Sequence, residues 1–306
     1  MGTRSPFFYV GDKYKLIGQL KNHFPKKINV FFDVFCGGGS VSLNIDARNY
    51  VLNDIDSMII DLHLFLFSHR NLPIETIKSL KITASSYGLS ISEDLVPNDI
   101  HIIKKQFPKT YFSKFNKFFY LLLRRDFNLD KTRMDLLYLL LVYGFNHMIR
   151  FNKTGDFNLP VGNVDWNKNV TNSLLGYFQW AKASKVKFLK LDFEELIIKS
   201  KKNKDDFFYF DPPYLITMSE YNKLWTIADE TRLYTLLDKL TNEGFRWGLS
   251  NMLIHKGKHN LLLDEWSSKY DVYPIESNYI SRFDNTKKIE SKEIYVTNEG
   301  RINTKG

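Results

Sequence analysis

Apolar positions along this chain come in two textures. Short runs rich in aromatic and β-branched residues, NVFFDVF, YVLND, VKFLKL, FFYFD, FRWGLS, DVYPI and EIYVT, have the length and composition of strands. They fall in residues 28–54 and 187–297, where they alternate with helical patterns. That alternation predicts an α/β fold with a mostly parallel, doubly wound sheet. The stretch from about residue 60 to 185 reads differently, as helical and basic. There MDLLYLLLVYGF predicts a buried helix ending near Gly144, and RFNKTGDFNLPVG, residues 150–162, predicts a hairpin with its turn at residues 153–155. The pattern divides the chain into an α/β frame, residues 1–60 and 186–306, and an inserted helical subdomain, residues 61–185. No internal repeat or low-complexity tract interrupts it.

Composition narrows the class. The 306 residues are 43% hydrophobic and 15% aromatic, enough to bury a core in one large domain or two of ordinary size. Apolar runs fall far short of the ~18 residues of a membrane span, and MGTRSPFFYVGDKYK lacks the apolar stretch of a signal peptide. The expectations are therefore no membrane partner and a cytoplasmic location. The single cysteine, Cys36, excludes an intramolecular disulfide and a cysteine-based zinc site.

Charge changes the picture more. Lys and Arg number 43 against 34 Asp and Glu, a net charge of +9, which favours a polyanionic partner. The excess is concentrated: residues 101–150 hold ten Lys or Arg against three Asp. Aromatics are interleaved there, as in KTYFSKFNKFFYLLLRRDF, a mixture suited to following phosphates and stacking on bases. A solvated basic face of an amphipathic helix would look the same.

Two stretches carry candidate chemistry. In FFYFDPPY the aromatics Phe207, Phe208, Tyr209 and Phe210 suit a buried strand, and Pro212 must end it because proline has no N–H for the ladder. Asp211, Pro212, Pro213 and Tyr214 then stand at a strand's carboxyl end, where open α/β sheets bind ligands. An edge strand stopped by a Pro-Pro turn is the plainer alternative. In NVFFDVFCGGGSVS a strand runs into Gly37, Gly38 and Gly39, followed by a helix-compatible stretch. Glycines there permit positive φ and close approach of backbone N–H groups to a ligand. A dinucleotide fingerprint would need glycine where Ser42 stands, and no Gly-Lys-Ser/Thr follows to make a phosphate loop. About seventeen residues past Gly37, Asn53 and Asp54 end the next strand, placing a carboxylate where ribose hydroxyls can be bound. A nucleoside ligand without a pyrophosphate fits; a tight turn remains the alternative.

FDVFCGGGS, then VLNDID and much later YFDPPY, together resemble the alpha group of DNA adenine-N6 methyltransferases, the Dam-like family that uses S-adenosyl-L-methionine. PFFYVGDKYKLI resembles that family's W-x-G-G-K segment, with Tyr9 at the aromatic position, Lys13 at the lysine and Asp12 in place of one glycine. LDFEEL resembles its G-D-F segment, with Leu191 in place of glycine, and GFRWGLSN and KEIYVTN are similar to its late strands. The resemblance spans nearly the whole chain, and the basic insertion between the glycine loop and DPPY marks the alpha group. It implies a Rossmann-like S-adenosylmethionine-dependent methyltransferase sheet with an inserted helical DNA-recognition subdomain. It also implies cofactor contacts from Tyr9, Lys13, Asp33, Phe35 and the glycines Gly37, Gly38 and Gly39. Asp54, Asp192, Phe193 and Asp211 complete that set.

For such a reaction the proline motif has a physical reading. The lone pair of an exocyclic amine is delocalised into the ring, so two acceptors aimed at its N–H bonds favour the tetrahedral, reactive nitrogen. Asp211 supplies one, the Pro212 carbonyl the other, and Tyr214 offers a face for the base to stack on. No metal is required. A paired adenine must first be flipped out of the duplex. The resemblance implies that the hairpin segment reads bases with Arg150, an arginine being well shaped to grip guanine, although a phosphate contact is the alternative. Asn146, Asn152, Lys114, Lys117 and Arg124 are further candidate contacts to double-stranded DNA. Asn163 and Val164 replace an Arg-Tyr pair of the GATC-reading relatives, and His147 replaces a glycine, so a target other than GATC is open. A cognate restriction endonuclease is a candidate partner, and a monomer is expected. Methylation of cytosine, RNA or a protein glutamine, and a non-catalytic DNA-binding regulator, are the competing classes; Asp211 stands where glutamine methylation is associated with Asn.

Overall fold

The computed structural model describes residues 2–9, 11–217, 225–276 and 291–303. Residues 218–224 and 277–290 of the expected α/β frame lie outside the described residues. The chain forms two compact units, one of Met1–Asp12, Gly37–Leu43 and Asp56–Ser184, the other of Lys13–Cys36, Asn44–Ile55 and Lys185–Gly306.

The second unit carries the sheet. Its strands are β1 (Val30–Asp33), β2 (Asn49–Asn53), β3 (Val186–Leu189), β4 (Phe207–Phe210), β5 (Arg246–His255), β6 (Lys258–His259), β7 (Asp271–Ile275) and β8 (Ser291–Thr297). They run in the order β3-β2-β1-β4-β5-β8-β7, with β6 paired to β5. The five strands from β3 to β5 are parallel, and β8 is antiparallel to both β5 and β7. The mostly parallel sheet read from the alternation is thus present, closed on one side by an antiparallel edge. Pro274 lies in β7, an edge strand, where a missing N–H is tolerated. The strand order reverses between β1 and β4, a topological switch point.

Phe207, Phe208, Tyr209 and Phe210 are all fully buried, as expected for a central strand covered on both faces. Phe32 stacks on Phe208 at 4.5 Å, and this face packs with Leu196, Leu237, Trp247 and Leu249 into one apolar cluster.

Helices follow in chain order as α1 (Ile17–Leu20), α2 (Ser57–Ser68), α3 (Pro73–Ser86), α4 (Asn98–Gln106), α5 (Tyr111–Leu129) and α6 (Met134–Tyr143). The remainder are α7 (Lys168–Ala183), α8 (Phe193–Lys199), α9 (Ile227–Asn242), α10 (Leu261–Ser267) and α11 (Glu299–Asn303). The first unit holds α2 to α7. All eight residues from Leu136 to Tyr143 are buried in α6, and the helix stops at Gly144. A helix apolar on every side must lie inside its bundle. By contrast α5 is amphipathic: Tyr120, Leu123 and Phe127 face inward while Lys114 and Lys117 are exposed.

The hairpin is present but irregular. Phe151 and Phe157 form an isolated antiparallel bridge, Gly155 takes φ +77°, and Gly155 N donates to Asn152 O at 3.0 Å. Behind the glycine loop the helix-compatible stretch forms only a single 3-10 turn, Ser42–Asn44. With β2 beginning at Asn49, too few residues remain for a stable α-helix. Among the described residues no helix is long and apolar enough to cross a membrane.

Candidate active site

The carboxyl ends of the parallel strands in the second unit gather the acidic and aromatic residues singled out above. Where β4 ends, Asp211 Oδ2 lies 2.8 Å from the Lys13 ammonium. The Tyr214 hydroxyl is 3.1 Å from Asp211 Oδ1 and 2.7 Å from Glu293 Oε1, and Lys13 Nζ is 3.7 Å from that same Glu293 oxygen. The Lys13 ammonium also sits over the Tyr214 ring, 5.1 Å from its centre. Side-chain exposure is 4% for Lys13, 16% for Asp211 and 1% for Glu293. Burial pushes the Asp211 carboxyl above the usual range; Lys13 opposes that shift and Glu293 adds to it. Glu293 was missed by the sequence reading. Its only local signal is a carboxylate directly before the apolar run Ile294, Tyr295 and Val296 of a late strand.

Asp33 is buried at the end of β1, and Asp54 is half-buried just past β2. Asn53 acts as a staple: its amide donates to Val34 O at 3.0 Å and Leu191 O at 2.9 Å and accepts from Leu191 N at 3.0 Å. That fixes the chain leading to α8. There Phe193 faces Phe35 at 5.6 Å, and Trp225 stands 5.7 Å from Phe35, its indole N–H held by buried Glu230 at 2.6 Å. The Asp192 carboxylate has structural work, capping α8 through Glu194 N and pairing with Arg232 at 2.9 Å.

In the first unit the glycine loop is shaped by close approach. A Cβ at Gly37 would meet the Tyr9 ring at 3.2 Å, and one at Gly38 would meet Ser5 Oγ at 2.8 Å. Ser5 Oγ donates to Gly38 O at 2.6 Å. Gly37 and Gly39 take φ +45° and +71°, whereas Gly38 does not need a positive φ. The Gly37 carbonyl lies 2.9 Å from Nε2 of His63, a fully buried residue of α2, whose Nδ1 faces the Tyr177 hydroxyl at 3.2 Å. A carbonyl only accepts, so Nε2 carries the proton. Burial lowers the His63 pKa to about 4. His63 too escaped the sequence reading, being one polar residue on an apolar helix face.

The candidate DNA contacts also lie in the first unit. Arg150 donates from Nε to Asn158 Oδ1 and from Nη2 to Asn158 O, each at 2.8 Å. Arg124 reaches Leu159 O at 3.4 Å. Asn152 Oδ1 organises the hairpin turn, accepting from Thr154 N at 3.0 Å and Asp156 N at 2.8 Å. Asn146 is exposed with φ +54°, next to His147 with φ +51°, two left-handed non-glycine residues in sequence.

A Rossmann-like sheet whose switch-point strand ends in Asp-Pro-Pro-Tyr defines a class, the α/β methyltransferases. The chain belongs to the D12 class N6 adenine-specific DNA methyltransferase family, whose model matches residues 9–280. It is similar to the modification methylase StsI of Streptococcus sanguinis, with 32% identity over 96% of this chain and 43% of that protein. It is also similar to the type II methyltransferase M.FokI of Planomicrobium okeanokoites, with 31% identity over 96% of this chain and 43% of the relative. A DNA adenine methylase of Haemophilus influenzae shares 27% identity over 71% of this chain and 66% of its own length. The chain thus spans less than half the length of the first two relatives.

Proposed function

We propose that this protein methylates the exocyclic amino group of adenine in duplex DNA at a defined sequence, with S-adenosyl-L-methionine as donor. The observation that carries the reading is the partly buried Asp211 carboxylate at the switch-point strand end, followed by two prolines and Tyr214. The donor set along that sheet edge suits the cofactor: Phe35 and Phe193 offer apolar faces for a purine, Asp54 a carboxylate for ribose hydroxyls, and Asp33 a buried negative charge for an ammonium. When bound, the donor supplies a methyl group on a positively charged sulfur, electrophilic enough for direct transfer to an amine. Asp211 accepts one N–H of the target amine, and the Pro212 carbonyl accepts the other. Together they favour the tetrahedral nitrogen whose lone pair attacks. The same carboxylate can take the proton that the nitrogen sheds after transfer, a role its raised pKa suits.

DNA is held by the basic residues of the first unit and read by the hairpin with Arg150. Two relatives are named a modification methylase and a type II methyltransferase. By likeness, the reading includes a restriction-modification setting with a cognate endonuclease, a monomeric enzyme and a cytoplasmic location. The test is expression in a methylation-free host and genome-wide mapping of modified bases. N6-methyladenine at one recurring motif is expected. Modified cytosine, or no modified base, sinks the proposal.

A further inference from the structure

The cluster around Asp211 contains one carboxylate more than the proposed reaction uses. Glu293 is 1% exposed and lies in β8, far along the chain from the DPPY motif. One of its oxygens, Oε1, accepts from the Tyr214 hydroxyl at 2.7 Å; the other, Oε2, has no hydrogen-bond partner among the described residues. A bare buried carboxylate oxygen is costly, which points to a donor that arrives at another stage.

The donors already present say which. Asp211 must accept an N–H from the target amine, yet Lys13 occupies Oδ2 at 2.8 Å and the Tyr214 hydroxyl faces Oδ1 at 3.1 Å. Both donors also reach Glu293 at Oε1, Lys13 at 3.7 Å and Tyr214 at 2.7 Å, which leaves Oε2 of the same carboxylate with capacity for Lys13 when it moves across. A hydroxyl has one proton, and the shorter distance directs it to Glu293. We propose that Glu293 is a positioning residue that draws Lys13 and the Tyr214 proton away from Asp211, so that Asp211 opens as the acceptor for the target amine. The inference rests on the role of Asp211 in the proposed function.

The exchange is inexpensive in charge. Moving one ammonium between two adjacent carboxylates leaves the net charge of the cluster unchanged, and Lys13 is never a lone buried cation. Without Glu293, Lys13 would lose the second carboxylate that shares it, and its hold on Asp211 would tighten. Among the described residues the groups facing Asp211 are Lys13, Tyr214 and Glu293, with Tyr209 nearby and Asp33 adjacent to Tyr209.

Wild-type transfer to DNA carrying the mapped site is measured first. Its absence counts against the proposed function, takes this inference with it, and is visible before any variant is compared. With wild-type transfer established, Glu293→Gln is expected to slow single-turnover transfer about tenfold or more while donor affinity stays within about threefold. The amide keeps the bond from Tyr214 but no longer attracts Lys13. The acid limb of the rate profile should move to lower pH, because the negative charge that raises the Asp211 carboxyl is gone. In a Lys13→Met background the same change should have little further effect. A folded Glu293→Gln protein with the wild-type rate and acid limb overturns the proposal. An equal loss with and without Lys13 also overturns it, since that is what a merely structural residue would produce. If Glu293→Gln does not fold, Glu293→Asp carries the test: it keeps the charge but shortens the reach, and a loss that does not depend on Lys13 is again the overturning result.

Discussion

Around Asp211, Lys13, Tyr214 and Glu293 share largely buried space and bond to one another. In the hairpin of residues 150–162 the polar side chains instead lie near solvent, and much of their bonding holds the turn itself, as Asn152 and the Arg150–Asn158 pair do. The difference reflects the partner each region is proposed to touch. A reacting amine is small and fixed, so its acceptor can be prepaired and desolvated, which strengthens every interaction in it. A base edge arrives with a large, hydrated polyanion. Donors that meet it must remain reachable, and the Arg150 guanidinium has more N–H groups than Asn158 can engage. Strain is also distributed unequally. Left-handed non-glycine backbone occurs at Asn146 and His147 beside the hairpin, whereas residues 211–214 have none.

The largest expected effect tests the buried side. Asp211→Ala removes a preorganised acceptor and should cost roughly 10²-fold or more in single-turnover transfer. The fold should survive, because Lys13 still has Glu293 beside it. Transfer within about threefold of wild type, with an unchanged melting temperature, would break the assignment of chemistry to this cluster.

Next comes the pH dependence of stability contributed by His63. Its folded pKa, about 4, lies below the ordinary 6.5, so the unfolded chain takes up a proton that the native state refuses. Stability from this group is therefore complete above about pH 6.5 and falls as pH drops towards 4, by on the order of 3 kcal/mol. Asp165 acts in the opposite sense, since burial raises its pKa to about 6. Comparing chemical denaturation of wild type with that of His63→Gln across this range isolates the histidine. The variant should show the flatter acid limb, and parallel curves would remove His63 as the source.

The hairpin side is sharpened by a pair of variants. If Arg150 grips a guanine, Arg150→Ala should cost ~1–3 kcal/mol on the preferred site and much less on DNA altered at that base pair. Lys114→Ala, on the exposed face of α5, should weaken all sequences alike and reduce the slope of log affinity against log salt by about one. Arg150→Ala behaving like Lys114→Ala would make it a phosphate contact.

The smallest effect is expected at Cys36, buried just before the glycine loop. Direct transfer to an amine needs no covalent intermediate, so Cys36→Ser should retain transfer within about threefold. A folded variant as impaired as Asp211→Ala would refute direct transfer.

Local chemistry was enough to locate the strand ending at Phe210, the helix ending at Gly144, the turn at Gly155 and the glycine loop. Each depends on residues a few positions apart, where missing N–H groups, positive φ and apolar periodicity act directly on the backbone. The helical character expected after Gly39 was overestimated, because the short connection to β2 leaves room for one 3-10 turn only. The partners of the site residues were beyond the reach of local pattern. Glu293 meets Tyr214 across 79 positions because β8 inserts antiparallel between β5 and β7, and nothing in either segment announces that pairing. His63 reaches the Gly37 carbonyl from a helix that reads as ordinary apolar packing. Asp192 and Asn152, read from their motifs as ligand contacts, have carboxylate and amide oxygens engaged by their own helix and turn. Which polar group is desolvated, and which neighbour shares its proton, depends on distances that only the packed chain sets. The residue types for the chemistry are written in the sequence, and the tertiary structure decides how their charges are balanced.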